Sequence, residues 1–111
     1  MSGLLHYKAT KQARDQYKIN THQITVLFAC YVCSVFIKDI FLIYNVSQIL
    51  NSYNYKRLRE YINSLVSIGL ITLAGANKYK LSSDGLQVIQ DINNNMDKIL
   101  YNFCNVYNID L

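Results

Sequence analysis

Apolar residues follow helical spacing along most of the chain and form strand-like runs only briefly, which predicts a mainly α fold with a small β-hairpin. The longest apolar run, residues 24–37, is apolar nearly all round a helix and is typical of a central core helix. Residues 55–68 are instead amphipathic. Their apolar positions follow i, i+3, i+4, i+7 spacing at Leu58, Tyr61, Ile62 and Leu65. Gly69 is expected to end this helix, because glycine readily adopts the left-handed backbone that closes helices.

Shorter signals predict the elements between these two helices. Residues 41–43 are expected to form a small strand or an extended entry, and Asn45 to cap a helix over residues 46–51. Thr21 and Asn54 are expected to cap the core helix and the amphipathic helix. A side-chain oxygen at such a position accepts a hydrogen bond from a free amide of the first helical turn.

Two further helices are predicted near the chain ends, over residues 4–18 and 83–107, with a hairpin around turn residues 75–77 before the second. The last helix carries apolar residues spaced 3, 4, 3, 4, 3. Such a seam is typical of packing along one partner helix, of the same chain or of a second chain. The residues predicted to form a dimer contact are Leu5, Ile89, Ile92, Met96, Ile99, Phe103 and Val106.

Length and charge limit the domain count and suggest a partner. The 111 residues, 51% of them hydrophobic, predict a single domain over residues 1–111 with its core at 21–85. The net charge is +4 over residues 53–81 and −3 over residues 82–111. Although a small sample can be uneven by chance, a basic middle and an acidic end favour a polyanionic partner for the middle.

The order of these elements, helix, core helix, short strand, two helices, hairpin and long helix, resembles the MarR-type winged helix-turn-helix regulators, with the PadR family as a neighbour. Leu81-Ser82-Ser83-Asp84-Gly85 resembles the family's leucine-threonine-x-x-glycine signature after the wing, with serine for threonine. Two stretches match its paired motif helices, namely Ile43, Val46, Ser47 and Leu50, then Leu58 to Leu65 with Gly69-Leu70-Ile71. The helix-to-helix turn is about one residue longer than usual, and the wing is shorter.

The resemblance implies a homodimer that binds double-stranded DNA with the helix at about 54–68 in the major groove. Cationic and amide side chains on the polar side of that helix suit this role, since arginine can bond guanine with a two-pronged fork and asparagine suits adenine. Glu60 is expected to tether Lys56 at i, i+4. The predicted DNA contacts are Asn54, Tyr55, Lys56, Arg57, Arg59 and Asn63, with Lys78 and Lys80 from the wing. An ordinary solvated face is the alternative.

Other residues offer weaker chemistry. Cys30 and Cys33 form a C-x-x-C inside an apolar helix and are expected to fill core space, because a zinc site requires four ligands and a redox pair requires an exposed terminus. A thiol sensor is the minor alternative. His6 and His22 are isolated and read as surface or cap residues. No catalytic constellation, metal site or cofactor is predicted, so the chain is not expected to be an enzyme.

Several expectations remain about partners and location. Tyr7, Tyr17 and Tyr31 are candidates to line a cavity for a small-molecule effector, although core packing explains them equally well. No signal peptide is evident and the 14-residue apolar run is too short to cross a bilayer, so a cytoplasmic protein without a membrane partner is expected. The rival function is a winged-helix interaction module whose basic helix docks an acidic protein without binding DNA.

Overall fold

A computed structural model describes residues 11–107, and the side chains of residues 11–95. The chain is mainly helical with a small three-stranded antiparallel sheet. The elements are α1 (Lys11–Tyr17), α2 (Thr21–Phe36), β1 (Ile40–Leu42), α3 (Ile43–Ile49), α4 (Tyr55–Ser67), β2 (Ile71–Gly75), β3 (Lys78–Leu81) and α5 (Ser83–Tyr107). The sequence therefore predicted the type and order of these elements, apart from the part of the first helix before residue 11, which lies outside the described residues.

The core helix α2 is the element against which α3, α4, α5 and the sheet pack. Its buried residues include Ile24, Leu27 and Cys30, as its continuous apolar pattern predicts. The predicted cap at Thr21 is wrong by one residue. Asn20 is the cap, because its side chain accepts a hydrogen bond from the Gln23 amide while the Gln23 side chain accepts one from the Asn20 amide, at 2.8 Å each.

The two helices that follow α2 pack against each other and against α2. Asn54 caps α4 as predicted, since its Oδ1 accepts a hydrogen bond from the Arg57 amide at 2.8 Å. The predicted cap at Asn45 is wrong. Helix α3 begins earlier, at Ile43, and Asn45 lies in its first turn, where Oδ1 accepts a hydrogen bond from the Leu42 amide at 2.9 Å.

The sheet has the strand order β1-β3-β2, so β3 pairs with both neighbours. Phe41 faces Tyr79 across β1 and β3, and both side chains are buried against the core. The hairpin turn contains only Ala76 and Asn77, between strands that end and begin at Gly75 and Lys78. Within the turn Asn77 has φ +57°, a conformation that asparagine tolerates, and Gly75 has φ +143° where the pairing of β2 with β3 shifts register between Leu73 and Gly75. The short hairpin predicted from the sequence is confirmed.

A close junction joins the end of α4 to the start of α5. Gly69, at φ +84°, ends α4 as predicted, and its carbonyl accepts a hydrogen bond from the Ser82 hydroxyl at 2.7 Å. The same hydroxyl accepts one from the Gly85 amide at 3.0 Å, which caps α5. Gly85 then lies against the backbone of Leu70, where a Cβ would come within 2.2 Å of the carbonyl oxygen. The backbone approach at Gly85 therefore explains why the stretch after the hairpin requires glycine.

The terminal helices correct part of the predicted dimer contact. Ile89 and Ile92 are 1% and 0% exposed within a single chain, so they belong to its own core and not to a subunit surface. Helix α1 also packs within the chain, because Ala13 is buried and the Tyr17 hydroxyl donates a hydrogen bond to Asp91 on α5. The remaining predicted dimer positions lie outside the described side chains; they are Leu5, Met96, Ile99, Phe103 and Val106.

Within residues 11–107, no single helix is long and apolar enough to cross a membrane. Only α1 and α2 taken together meet the length and composition for a span, and they are bent by 98° where they meet.

Candidate nucleic-acid interface

The first turn of α2 fixes the position of α4, the helix that carries the candidate interface. Gln23, which already closes the cap of α2, donates a side-chain hydrogen bond to the Ser64 hydroxyl on α4 at 3.0 Å. One residue earlier, the His22 ring stacks on Tyr61 of α4 with centroids 5.5 Å apart and planes 19° apart. Leu58, Ile62 and Leu65 anchor the other side of α4 in the core. Helix α4 is thus held along one side and is free along the other.

The free side of α4 carries the predicted DNA contacts. These residues are all exposed: Asn54, Tyr55, Lys56, Arg57, Arg59 and Asn63. Among the described side chains, no carboxylate oxygen lies within 4.0 Å, the limit for an ion pair, of a side-chain nitrogen of Lys56, Arg57 or Arg59. The predicted tether between Glu60 and Lys56 is therefore wrong, and the cations of this face remain available to an outside anion.

Arg57 is held by an aromatic cluster that sequence reasoning missed. Its Nη2 donates a hydrogen bond to the Tyr61 hydroxyl at 3.2 Å, and its guanidinium carbon lies 5.9 Å from the centre of the Tyr61 ring. Tyr53 packs edge-on against both Tyr61 and His22, and its hydroxyl lies 2.8 Å from His22 Nδ1. His22 is exposed in the first turn of α2, as expected of a surface or cap residue, but it is not isolated, because its ring contacts both tyrosines. The i, i+4 spacing of Arg57 and Tyr61 was the visible signal, but nothing local pointed to His22.

Arg59 lies on the opposite flank of α4. Two residues along a helix are separated by about 200°, so Arg57 and Arg59 project to different sides. The Arg59 guanidinium carbon lies 5.6 Å from the centre of the Tyr55 ring, within the range of a cation–π contact. Between these flanks, helical spacing places Lys56, Glu60 and Asn63 farthest from the buried stripe. The sequence analysis assigned Glu60 only to a tether, although a carboxylate can also accept a hydrogen bond from cytosine N4.

The two wing lysines lie elsewhere. Lys78 and Lys80 are two apart on β3, so both extend from the outer face of the sheet while Tyr79 between them points into the core. Across the sheet they are paired in register with Leu42 and Ile40 of β1. The structure therefore brings the lysines together with exposed apolar side chains, and their contact with DNA remains a prediction.

The two core cysteines are free thiols buried on α2. Burial raises the pKa of Cys33 to about 11 and raises the pKa of Cys30 well above its ordinary value, because a thiolate loses its hydration in an apolar core. The expectation that both fill core space is confirmed. No group of three or more potential metal ligands occurs within the described residues.

The tyrosines proposed for an effector cavity do not come together in the described part of the chain. Tyr31 lines an open groove of about 540 Å³ with Ser34 and Asp39 of the α2–β1 region and Leu86 of α5. Tyr17 is engaged instead with Asp91, whose hydrogen bond, together with burial and its negative charge, raises the Tyr17 pKa to about 12. Tyr7 lies outside the described residues.

No protein-family model, no curated protein and no solved structure matches this chain. The functional assignment therefore depends on the geometry of α4 and on the residue pattern alone.

Proposed function

We propose that this protein is a sequence-specific, double-stranded DNA-binding regulator with a winged helix-turn-helix fold, in which α4 enters the major groove. The observation that supports it best is the exposed, unneutralised cationic face of α4 on a helix whose other side is fixed by the core. A capped helix N-terminus with protruding arginines presents fork-shaped donors to guanine edges and cations to phosphates. Helix α3 takes the place of the first motif helix, since it packs against α4 across the 50–54 turn.

Arg57 and Arg59 are the proposed base-reading residues. Each is already stacked near a tyrosine ring, which reduces the side-chain freedom that binding would otherwise have to remove. Lys56 and Asn63 lie on the outermost side of the same face, where a phosphate or an adenine edge would meet them. Glu60, among them, disfavours indiscriminate phosphate binding and so favours selectivity for base sequence over charge alone.

The test begins with selection of bound duplexes from a random pool, followed by gel retardation of the selected sequence. Arg57→Ala/Arg59→Ala is expected to bind about 30-fold more weakly or worse, since each two-pronged base contact contributes about 1–3 kcal/mol. Arg57→Lys/Arg59→Lys keeps the charge but loses the two-pronged hydrogen-bonding geometry of arginine. Its preference for the selected sequence should therefore fall more than its affinity for random DNA. Lys11→Ala/Lys38→Ala removes equal charge from exposed positions outside the face and is the matched control.

Two outcomes would overturn the proposal. Equal retardation by wild type and Arg57→Ala/Arg59→Ala would remove these residues from the site. Failure of the wild-type protein to retard any duplex at low salt, where phosphate attraction is strongest, would remove DNA binding itself and leave the rival function as a docking module.

Homodimer formation is the second part of the proposal. Helix α5 has 25 residues and is thus about 37 Å long, more than either short dimension of the molecule, 25 and 22 Å. Its apolar spacing continues through Met96, Ile99, Phe103 and Val106 after the core has used Ile89 and Ile92. Light scattering should give twice the chain mass for wild type and a lower mass for Ile99→Asp/Phe103→Asp. Asn94→Asp is the control and should keep the mass of wild type. If Ile99→Asp/Phe103→Asp also kept that mass, the seam would be excluded as a subunit contact.

A further inference from the structure

A groove crosses the outer face of the sheet, on the side away from the core. Its apolar lining comes from Ile37, Ile40, Leu42 and Ala74, and its volume is about 460 Å³. The pleat explains its composition, because β1 alternates exposed, buried, exposed and thus turns Ile40 and Leu42 outward while Phe41 fills the core. This groove has no role in the proposed contact between α4 and DNA.

The apolar side chains in and beside this groove are exposed to solvent and do not belong to the core. Ile37, Ile40 and Leu42 are 49%, 45% and 41% exposed, and Phe36 beside them is 78% exposed. Single exposed aliphatic residues are ordinary on protein surfaces, but several gathered in one recess mark a contact for another molecule. Burying them against a partner would remove apolar surface from water, which is the main source of affinity in such contacts.

Charge around the groove indicates what that partner carries. Lys38 and Lys78 line the groove, Lys80 extends from the same face of β3, and no acidic residue lies among the groove-lining residues. A duplex offers nothing to three aliphatic side chains in a recess, whereas a helix with one apolar stripe and carboxylates beside it matches both features. A flat lipid surface suits a protruding apolar element better than a concave one.

We propose that this groove docks an acidic amphipathic helix of a partner protein. The apolar stripe of that helix would lie over Ile40 and Leu42, and its carboxylates would pair with Lys38 and Lys78. Docking centres on β1 and DNA binding on α4, and the two share only Lys78 and Lys80 among the residues named for them, so a failure of one leaves the other standing.

The probe is a hydrocarbon-stapled helical peptide of about 15 residues, long enough for stable helix, with leucine at i, i+3, i+4 and i+7 and glutamate on its remaining surface. Binding of the fluorescein-labelled peptide is followed by anisotropy. Ile40→Asp is expected to weaken binding about tenfold or more, because it replaces a buried aliphatic contact with a charge of the same sign as the peptide. Lys38→Glu should weaken it as well and reduce its salt dependence, because one of the two cations that pair with the peptide is lost while Lys78 remains. Ile68→Asp changes an isoleucine of similar exposure, 48%, outside the groove and is the control.

Circular dichroism of each variant establishes that it remains folded, and Lys38→Glu, at an exposed position, keeps the test decisive if Ile40→Asp unfolds. Binding of the acidic peptide, loss of binding in both groove variants, and no binding of a peptide with lysine for glutamate would support the proposal. No binding of the acidic peptide, or equal loss in Ile68→Asp, would overturn it. Two results would assign the groove to another occupant and overturn it too. The first is that the wild-type protein does not bind the peptide but co-sediments with phosphatidylserine vesicles, and that Ile40→Asp loses this co-sedimentation, which would assign the groove to lipid. The second is that Ile40→Asp has a lower solution mass than wild type, which would assign the groove to a second copy of the chain.

Discussion

Replacing Gly85 by alanine should destabilise the protein, although the same change in an ordinary helix interior is stabilising. Alanine has a higher helix propensity than glycine by up to about 1 kcal/mol. At Gly85, however, the added Cβ would lie 2.2 Å from the Leu70 carbonyl oxygen and 2.9 Å from Leu81 Cδ1. Ordinary contacts begin at 3.4 Å, so the carbonyl would have to retreat by 3.4 − 2.2, about 1 Å. The obstacle is backbone, which cannot rotate out of the way.

The magnitude follows from what that retreat would disrupt. The Leu70 carbonyl accepts the hydrogen bond of the Ser82 amide at 3.2 Å, and its loss costs about 0.5–1.5 kcal/mol. Overpacking adds about 1–3 kcal/mol. After the gain of about 1 kcal/mol in helix propensity is subtracted, the net loss is about 0.5–3.5 kcal/mol, centred near 2 kcal/mol, which is equivalent to roughly 10 °C in melting temperature for a domain of this size.

Urea denaturation followed by circular dichroism, at one fixed protein concentration, measures this loss. Gly69→Ala is the matched control, because Gly69 has φ +84° but nothing within 4 Å of the added Cβ. It should cost only about 1–2 kcal/mol, the strain of a left-handed alanine. A Gly85→Ala protein as stable as wild type, or more stable than it, would refute the close approach of α5 to the Leu70 backbone.

Three further predictions concern single side chains. The pKa of Tyr17 is raised from 10.0 to about 12 in the folded protein. Its hydrogen bond should therefore stabilise the fold fully below pH 10 and progressively less as the pH rises toward 12. Urea denaturation at a series of pH values should show this alkaline loss of stability in wild type and not in Tyr17→Phe. Cys30 and Cys33 should resist iodoacetamide in the native protein and react after denaturation, which mass spectrometry of a Cys104→Ser variant checks; rapid native labelling would contradict their burial. His22→Ala should lower sequence discrimination in gel retardation while leaving the salt dependence unchanged, because it removes a ring that packs on Tyr61 beside Arg57 but leaves the cations of α4 in place; an altered salt slope would contradict this.

The sequence predicted the features that depend on local pattern. The amphipathic spacing of α4, its cap at Asn54 and its end at Gly69 could all be read from neighbouring residues, because each is decided within one or two helical turns. The exposed basic face followed directly from the same spacing. The caps at Thr21 and Asn45 were misplaced because several polar residues compete near each helix start, and only the backbone geometry selects Asn20 and Leu42 as the boundary residues.

Only the tertiary structure decided which surfaces meet. A regular apolar seam fixes which side of α5 must be covered but not by what, so Ile89 and Ile92 could be assigned to the chain's own core only once α5 was packed on α2. The stacking of His22 on Tyr61 joins residues 39 positions apart (61 − 22), and no local pattern encodes such a contact. Short-range periodicity determines the secondary structure and which face of each element is apolar. Which of these faces pack against each other is a property of the folded chain, because it depends on how all the apolar faces can be buried at once.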